Sequence, residues 1–365
     1  MERPILTIKQ AAKLLQVDPN TIYRWARAGK FPASKIGKEW RVLRSDVIKF
    51  LESKKKKNQF LTEAQEAELI TALVGRREIP IKFEYLGEGA DRYVSIYAPA
   101  VGGGSETEII FDNKEHFLRY FEQKKFNLLD VGCGDGKKAA FFISHITRKA
   151  SAYSALDISA RMLDIAEQTI EISHPNLAFE KFIDDFEFGN IAHTTYYLHR
   201  RYQHNNLITF LGNTIGNTLD PHRVLINLRD SMGDEDLLLV GLAFHNPKNI
   251  PLVEYNQRSV IEWLWTIPEK IGIKRSDGNI EGIYNKTKRQ FEHQLHFGKN
   301  WERMYGGSLI RFTKDQKVRL AISRRFTKDD IFQLFARAGF KIEIFVHDKD
   351  NALVLCRPHE WEKRI

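Results

Sequence analysis

Cysteine and long hydrophobic runs are the two features that this sequence most clearly lacks. Only two of its 365 residues are cysteine, Cys133 and Cys356, so no disulfide framework is expected, and no histidine pair lies near either thiol to form a zinc site. Charged residues interrupt every hydrophobic run before the roughly 18 residues that a membrane-spanning helix needs. The first residues contain no apolar core of signal-peptide length. These absences exclude the secreted and membrane classes, predict no metal site and favour a cytoplasmic location.

Positive charge is unevenly distributed along the chain. The sequence carries a net charge of +9, with 42% hydrophobic and 28% charged residues, and its length is typical of two or three folded domains. Residues 1–59 contain 15 basic and 5 acidic residues, a net charge of +10, whereas the rest of the chain has a net charge of −1. This segregation predicts that the N-terminal segment binds an anionic polymer through phosphate neutralisation and counterion release.

The N-terminal segment has the pattern of two short helices followed by two strands. Apolar residues in 8–15 have helical spacing and follow Thr7, a helix-capping residue. Asp18 suits the N-cap of a second helix, and Pro19 suits its first position, where the missing N–H has no cost. Residues 35–42 then have the pattern of two short strands about a glycine turn, and a third helix is predicted after them.

Residues 6–51, LTIKQAAKLLQVDPNTIYRWARAGKFPASKIGKEWRVLRSDVIKFL, resemble the excisionase-like branch of the winged helix-turn-helix families. The resemblance implies binding to double-stranded DNA, with the second helix in the major groove and the wing against the backbone. The residues that it implies are Asn20, Thr21, Tyr23, Arg24 and Arg27 on the helix and Lys38 and Arg41 on the wing. A helical protein-interaction module is the alternative. Trp25 and Trp40 are predicted to pack in the core rather than to stack on bases.

The chain is predicted to divide after this module. Residues 1–53 form the winged helix-turn-helix domain, and the lysine-rich residues 54–59 form a linker. Residues 60–126 are a helical and hairpin extension without a decodable motif, in which 82–97 has the pattern of strand, turn and strand. The main domain is residues 127–358, with a substrate insertion at 242–325.

Strands and helices alternate in the main domain. Strands are predicted at 127–131, 152–156, 178–183, 206–211 and 236–241, and helices at 137–146, 159–169 and 221–231. Such alternation indicates an α/β fold, with a parallel sheet that helices cover on both faces. The sequence therefore predicts a Rossmann-like doubly covered sheet.

A glycine-rich turn follows the first of these strands. The spacing of Gly132, Gly134 and Gly136 is Gly-x-Gly-x-Gly, and Lys137 stands where a dinucleotide motif would have its last glycine, so a pyrophosphate cradle is incomplete. Asp157 ends the second strand 21 residues after Gly136, close to where an acidic side chain accepts hydrogen bonds from ribose hydroxyls. The pattern predicts an adenosyl ligand. Two further acids, Asp130 and Asp135, suit the cationic sulfonium and ammonium of S-adenosylmethionine (SAM) better than a phosphate.

Residues 210–217, FLGNTIGN, are similar to the FLGSTIGN signature of the histidine-specific methyltransferases. This family includes the L-histidine Nα-methyltransferase of ergothioneine synthesis. The resemblance covers roughly residues 125–358 and implies a class I methyltransferase sheet with SAM as cofactor. The cofactor residues that it implies are the three glycines of the turn, Asp157, and Asp184 or Asp185 on the adenine side. The substrate residues that it implies are Asn217 for the amino-acid head, Met304 for the side-chain pocket and Ser323. Tyr255, in the predicted substrate insertion, is a further candidate.

The chain also departs from the family pattern. Ala321 stands where the family has the glutamate of a Glu-x-Ser motif that binds imidazole, although Ser323 is retained. The Tyr-rich substrate loop of the family has no convincing counterpart in residues 60–126. Methyl transfer to an amine is therefore better supported than histidine as the acceptor.

Three functional hypotheses follow. The first is a SAM-dependent N-methyltransferase of an amino acid or small amine, coupled to a DNA-binding module, with Asn217 as the catalytic residue. The second is a SAM-sensing transcriptional regulator whose methyltransferase domain is weak or inactive, which the missing carboxylate at position 321 favours. The third, methylation of DNA, is disfavoured because an Asp/Asn-Pro-Pro-aromatic motif is absent. The acceptor, the DNA sequence and the oligomeric state are left open.

Overall fold

The computed structural model describes residues 5–15, 17–48, 50, 60–97, 104–121, 125–146, 150–248 and 250–359. The chain divides into two compact units, Met1–Ala64 and Gln65–Ile365. The predicted lysine-rich linker lies outside the described residues. Within the described ranges, no helix is both long and apolar enough to cross a membrane.

The N-terminal unit is a small helical domain with a β wing. It contains β1 (Ile5–Thr7), α1 (Ile8–Leu15), α2 (Pro19–Arg27), β2 (Ser34–Ile36), β3 (Glu39–Leu43) and the helical residues 44–48, α3. The strands form an antiparallel sheet in the order β1-β3-β2. Thr7 and Gln10 cap the start of α1 reciprocally, and the Asp18 carboxylate accepts from the Asn20 amide at 2.7 Å at the start of α2. The predicted helices and wing are confirmed.

The core of this unit is formed by one residue cluster. Its buried members are Leu6, Ile8, Ala11, Ala12, Ile22, Phe31, Val42 and Val47. Trp25 and Trp40 pack against the cluster while partly buried, which confirms their predicted core role. Phe50 contacts the rings of Trp25 and Phe31, with ring centroids 5.9 and 4.9 Å apart.

A seven-stranded sheet organises the second unit. Its strands are β4 (Phe126–Val131), β5 (Ala150–Asp157), β6 (Ala178–Ile183), β7 (Asn205–Phe210), β8 (Leu237–Ala243), β14 (Phe340–His347) and β15 (Asn351–Pro358). Their order is β14-β15-β8-β7-β4-β5-β6. β4 to β8 run parallel, whereas β15 pairs antiparallel with both β8 and β14. The α/β, Rossmann-like class of the sheet is thereby confirmed.

Helices cover both faces of this sheet, as a parallel sheet with fully buried strands requires. One core cluster includes side chains of α7 (Lys114–Phe121), α8 (Lys137–His145) and α9 (Ala160–Ser173). The cluster on the other face includes side chains of α10 (Ala192–Tyr202), α12 (Pro221–Arg229) and α16 (Lys328–Arg337). The short α11 (Thr214–Asn217) lies between β7 and α12.

The described part of the segment before the sheet is mainly helical. It contains α4 (Glu63–Thr71), a π-turn (Ala72–Arg76), a 3-10 helix (Ile81–Tyr85), α5 (Glu88–Arg92), a second π-turn (Tyr93–Tyr97) and α6 (Gly104–Asp112), followed by α7. The hairpin predicted within 82–97 is wrong. Lys82, Phe83 and Glu84 are buried one after another, so their polar and apolar alternation does not mark two faces of a strand.

The predicted substrate insertion folds as helices and a separate sheet. The helices are α13 (Leu252–Tyr255), α14 (Arg258–Leu264) and α15 (Thr266–Lys270). An antiparallel sheet in the order β13-β10-β9 contains β9 (Gly278–Asn285), β10 (Gln290–Phe297) and β13 (Lys317–Arg324). A hairpin of β11 (Trp301–Tyr305) and β12 (Ser308–Phe312) lies between β10 and β13 in the chain.

Candidate active site

The glycine turn leads from β4 into α8 at the carboxyl edge of the sheet. Gly132, Gly134 and Gly136 have φ angles of +63°, +55° and +73°, which other residues rarely adopt. A Cβ on Gly136 would lie 3.1 Å from the Ala166 Cα of α9, so this glycine allows two elements to pack closely. A Cβ on Gly134 would meet nothing within 4 Å. The turn is therefore tightly packed against α9 at Gly136, whereas the space next to Gly134 is open.

Two buried carboxylates lie at this edge. Asp130 accepts hydrogen bonds from the Thr209 and Tyr153 hydroxyls at 2.7 and 2.9 Å, which link β4 to β7 and β5. Burial raises the pKa of Asp130 to about 7. Asp157 accepts a hydrogen bond from the Ser159 amide at 2.9 Å. Burial raises the pKa of Asp157 to about 6, although hydrogen bonds from backbone amides, including that of Gly134, lower it in part. Asp130 thus holds strands together, whereas Asp157 lies beside the open turn.

Asp184 and Asp185 follow β6, and the structure gives them different partners. The Asp184 amide donates to the Asp157 carbonyl at 3.2 Å, which brings this loop beside the glycine turn. Asp185 accepts from Lys82 Nζ at 2.5 Å and from the Glu187 amide at 3.1 Å. Lys82 also pairs with Glu68 at 2.8 Å. Both Asp185 oxygens therefore have partners within the protein.

An aromatic cluster of two tyrosines from the N-terminal extension and one tryptophan from the insertion also reaches this site. Tyr85, Tyr93 and Trp263 lie with ring centroids 5.0 to 5.5 Å apart. Burial raises the pKa of Tyr93, and the negative charges of Asp135 and Asp157 raise it further, because the ring lies close to the glycine turn. Electron-rich rings beside acids suit a cationic ligand. The sequence analysis assigned no function to these residues.

A cleft opens beside Asn217, the last residue of α11. The lining residues of the cleft are Glu78, Ile79, Pro80, Ile81, Glu187, Asn217, Leu219, Arg319, Leu320, Ala321 and Ile322. The Arg324 guanidinium donates to the Thr218 carbonyl and, at 2.9 Å, to the Leu219 carbonyl. Arg324 therefore fixes the backbone that follows Asn217.

Two of the predicted substrate residues contact each other. The Tyr255 hydroxyl donates to Ser323 Oγ at 2.9 Å, and the Tyr255 ring stacks on Phe291 with centroids 3.8 Å apart. Asn213, which the sequence analysis did not select, donates from Nδ2 to Ser323 Oγ at 3.1 Å. Met304 lies on the β11–β12 hairpin, outside the sheet that carries Ser323, and its side chain is 59% exposed.

Position 321 carries no carboxylate, and its surroundings differ from an imidazole-binding site. Ala321 pairs with His293 across β13 and β10. The His293 ring donates from Nε2 to the Tyr255 carbonyl at 2.8 Å, and burial lowers its pKa. Glu78 lines the cleft but pairs with Arg319. The remaining carboxylate of the cleft is Glu187.

Glu106 joins the N-terminal extension to the sheet. Its carboxylate accepts from the Gly212 amide at 3.0 Å and pairs with Lys138 Nζ at 2.6 Å. A Cβ on Gly241 of β8 would lie only 1.6 Å from Glu106 Oε1, so this carboxylate occupies the space that the glycine leaves. Glu106 thereby connects the loop after β7 to α8, the helix that follows the glycine turn. The same loop leads into α11, which ends at Asn217.

The predicted DNA-binding residues lie in the N-terminal unit with different exposures. Asn20, Tyr23, Arg24, Arg27 and Lys38 are exposed, whereas Thr21 and Arg41 are partly buried. Arg41 pairs with Glu39 on the same strand. The exposed face of α2 therefore carries two arginines whose side chains project into solvent. Among the described residues, no cluster of histidine, cysteine or acidic side chains could hold a metal ion.

Solved structures similar to this chain include several methyltransferases. A SAM-dependent methyltransferase from Clostridium acetobutylicum ATCC 824 is 12% identical, with 74% of this chain and 99% of that chain covered and a TM-score of 0.40. A sugar N-methyltransferase from Streptoalloteichus sp ATCC 53650 is 14% identical, with 73% and 93% covered and a TM-score of 0.37. Magnesium protoporphyrin IX methyltransferase from Synechocystis PCC 6803, solved with bound SAM, is 11% identical, with 76% and 95% covered and a TM-score of 0.40.

Family models match both units of the chain, although no curated protein matches it. The helix-turn-helix domain model matches residues 5–55. The model described as histidine-specific methyltransferase, SAM-dependent, matches residues 66–358, so it includes the extension in which the sequence analysis found no motif. This match covers most of the chain. The protein belongs to the histidine-specific, SAM-dependent methyltransferase family and carries a helix-turn-helix domain before the methyltransferase domain.

Proposed function

We propose that this protein N-methylates an amino acid or another small amine and binds double-stranded DNA through its helix-turn-helix domain. The observation that carries the first part is the cleft beside Asn217. This cleft combines the Asn217 amide with the Glu187 carboxylate, two groups that can bind an amine or an amino-acid head. The proposed domain limits remain 1–53 and 127–358, with the insertion 242–325 contributing Tyr255 and Ser323 to the acceptor site.

The residues around the glycine turn fit SAM. The space above Gly134 is open, and the buried Asp157 carboxylate beside it is a suitable acceptor for ribose hydroxyls. Asp184 is proposed for the adenine side, because among the described residues its carboxylate accepts a hydrogen bond only from the Asp185 amide, at 2.8 Å, and lies 3.6 Å from the exposed His193 ring. Asp185, by contrast, is paired with the buried Lys82. When bound, SAM supplies a methyl cation equivalent, whose bond to the acceptor forms from an amine lone pair while sulfur keeps the electrons of the broken bond.

Positioning of the amine is the main contribution proposed for the protein. The Asn217 amide can accept from an amine or donate to a carboxylate, and it stays uncharged at every pH. Arg324 holds the carbonyls of the next two residues, so Asn217 has a fixed backbone. Tyr255 and Ser323 present hydroxyls that suit a carboxylate of the acceptor. An amine held in line with the methyl carbon needs no covalent intermediate.

Replacing Asn217 by alanine should lower kcat/KM for the best acceptor by about 30-fold, the loss of roughly 2 kcal/mol for a desolvated hydrogen-bonding group. The measurement is formation of S-adenosylhomocysteine (SAH) with the twenty amino acids and with simple amines. Asn279→Ala, at an exposed position on β9, is the control and should keep normal activity. SAM binding without product from any acceptor would favour the SAM-sensing regulator instead.

The exposed arginines of α2 support the DNA-binding part. Arg24 and Arg27 are three residues apart and therefore lie on one side of the helix, within a segment, residues 1–59, whose net charge is +10. Arg41 is a poorer candidate for a free phosphate contact, because Glu39 neutralises it. The second helix is the element that enters the major groove in this motif.

Changing both Arg24 and Arg27 to alanine should weaken duplex binding about 10-fold at moderate salt and reduce the slope of log K against log salt by about 1.8. Fluorescence anisotropy with a labelled duplex at several salt concentrations measures both values. The control Arg258→Ala removes an arginine of the methyltransferase domain that is 93% exposed. It should change neither the affinity for the duplex nor the salt slope. An unchanged slope in the double variant would rule out these two arginines as the DNA contacts.

A further inference from the structure

Glu187 is a carboxylate of the acceptor cleft to which the roles above assign no step of the reaction. It lines the same cleft as Asn217. Its backbone is held on two sides, because its amide donates to Asp185 at 3.1 Å and its carbonyl accepts from Asn227 Nδ2 at 3.3 Å. The nearest side-chain hydrogen bond is long, from the Leu219 amide at 3.5 Å. Glu187 thus projects from a fixed turn between the cofactor loop and the cleft.

The charge of Glu187 has no ion-pair partner within 4 Å among the described residues, whereas its charged neighbours have partners of their own. Lys82 is bound by Glu68 and Asp185. Arg324 is engaged by two backbone carbonyls, and Arg319 pairs with Glu78. Burial raises the pKa of Glu187 to about 7, and the negative charges of Asp185 and Glu68 add to this, while Lys82 opposes it. A partly buried, unpaired carboxylate is a site that a cationic ligand stabilises.

We propose that Glu187 binds the ammonium group of the acceptor beside Asn217 and removes its proton before methyl transfer. This inference rests on the proposed function, and it names the substrate class as amines that are protonated at neutral pH. In the step, one N–H bond breaks and the proton moves to a Glu187 oxygen, which leaves the electron pair on nitrogen. That pair forms the new nitrogen–carbon bond. Glu187 then gives its proton to solvent, so charge and atoms balance.

The environment of Glu187 suits this transfer. The amino group of a free amino acid is much more basic than an ordinary glutamate, whose pKa is about 4.3, so such a glutamate would take the proton at a large equilibrium disadvantage. Raising the pKa of Glu187 to about 7 reduces that disadvantage by roughly 500-fold. Asn217 can hold the nitrogen while this happens, since its amide oxygen can accept the remaining N–H. The two side chains therefore divide the work between holding the amine and deprotonating it.

The test is Glu187→Gln, which keeps the size of the side chain and removes the charge. Initial rates of SAH formation are measured from pH 7 to pH 9.5 with the best acceptor of the amine panel. We expect kcat/KM to fall about 30-fold at pH 7 and less than about threefold at pH 9.5, where the amine is deprotonated without help. A purely structural role would lower the rate equally at both pH values, and that result would overturn the proposal. Glu115→Gln, at an exposed position on α7, should leave the profile unchanged.

A second measurement does not depend on turnover. Calorimetry with SAH-saturated protein compares each amino acid of the panel with its Nα-acetyl derivative, which cannot carry the ammonium charge. The wild type should prefer the free amine by about 10-fold or more, and Glu187→Gln should lose this preference. A preference retained in the variant, or no binding of any free amine to the wild type, would overturn the role of Glu187. Normal amine binding without SAH formation would instead reject the proposed methyl transfer.

Discussion

Replacing Asp157 by alanine should raise the dissociation constant for SAM by several hundred-fold, a loss of about 3.5 kcal/mol for a buried carboxylate that accepts hydrogen bonds from the ligand. The side chain ends β5 directly beside Gly134, and the Ser159 amide holds one of its oxygens in place. Alanine leaves the ribose hydroxyls without this acceptor. Isothermal titration calorimetry with SAM or SAH measures the change.

The control for this experiment is an aspartate of the helix that follows β5. Asp164→Ala removes a carboxylate on α9 that is 52% exposed and pairs with Lys181, and it should leave SAM affinity unchanged. An Asp157→Ala protein that still binds SAM with nearly normal affinity would contradict the assignment of the ribose subsite. Circular dichroism melts of both variants separate a loss of affinity from a loss of folding.

The raised pKa of Asp157 gives the same experiment a pH signature. Burial raises this pKa to about 6, so the carboxylate is ionised at neutral pH and becomes protonated below that value. Since the ionised form is the one that accepts both hydroxyls, the dissociation constant of the wild type should rise about tenfold per unit as the pH falls below about 6. The Asp157→Ala variant lacks this group, so its weak affinity should not show the same transition.

Replacing Gly241 by alanine should lower the free energy of unfolding by about 3 kcal/mol. The added Cβ would stand 1.6 Å from Glu106 Oε1, so the carboxylate must move. The carboxylate would then lose its hydrogen bond from the Gly212 amide and its ion pair with Lys138. It would also have to leave a buried position, in which the Glu106 side chain is only 6% exposed. A domain of this size should melt roughly 6 °C lower as a result. Thermal and urea unfolding of the purified protein provide both values.

A double-variant cycle tests the stated cause. Gly75→Ala adds a methyl group at a glycine with nothing within 4 Å of the new Cβ, and it should not reduce stability. Glu106→Ala is destabilising by itself, but adding Gly241→Ala to it should change little, because the clashing carboxylate is already gone. Additive losses in the double variant would show that the Gly241 effect comes from somewhere other than Glu106.

The central sheet was predictable from the sequence because most of its inner strands are apolar runs, and its edge strand β6 alternates with helices in the same way. Strand 178–183 was placed correctly at both ends, and the predicted 127–131 differs from β4 by one residue. The helix α10 was missed, since its inward face carries Thr194 and Thr195 together with Leu198. The Thr195 hydroxyl donates to the Ser231 carbonyl, which makes this polar face compatible with burial. Apolar periodicity cannot detect a helix that packs in this way.

The candidate site was only partly predictable for a related reason. The glycine turn and Asp157 belong to one local motif, with 21 residues between Gly136 and the acid. Glu106 and Arg324, by contrast, act on backbone that lies more than 100 positions away in the chain. No local sequence pattern identifies such residues, because their partners depend on how distant elements such as β7 and β13 pack in the fold. The proton-accepting role proposed for Glu187 likewise depends on which neighbouring acids already have cationic partners.

The position of β15 within the sheet has a consequence for how the protein is made. β15 lies between β8 and β14 and pairs with residues 238–243, so the last strand in sequence fills an interior place. During synthesis from the N-terminus, one edge of β8 would stay unpaired until residue 358 has left the ribosome. The methyltransferase sheet can therefore close only after β15 has been made, and β8, whose residues are all buried in the folded state, depends on that pairing.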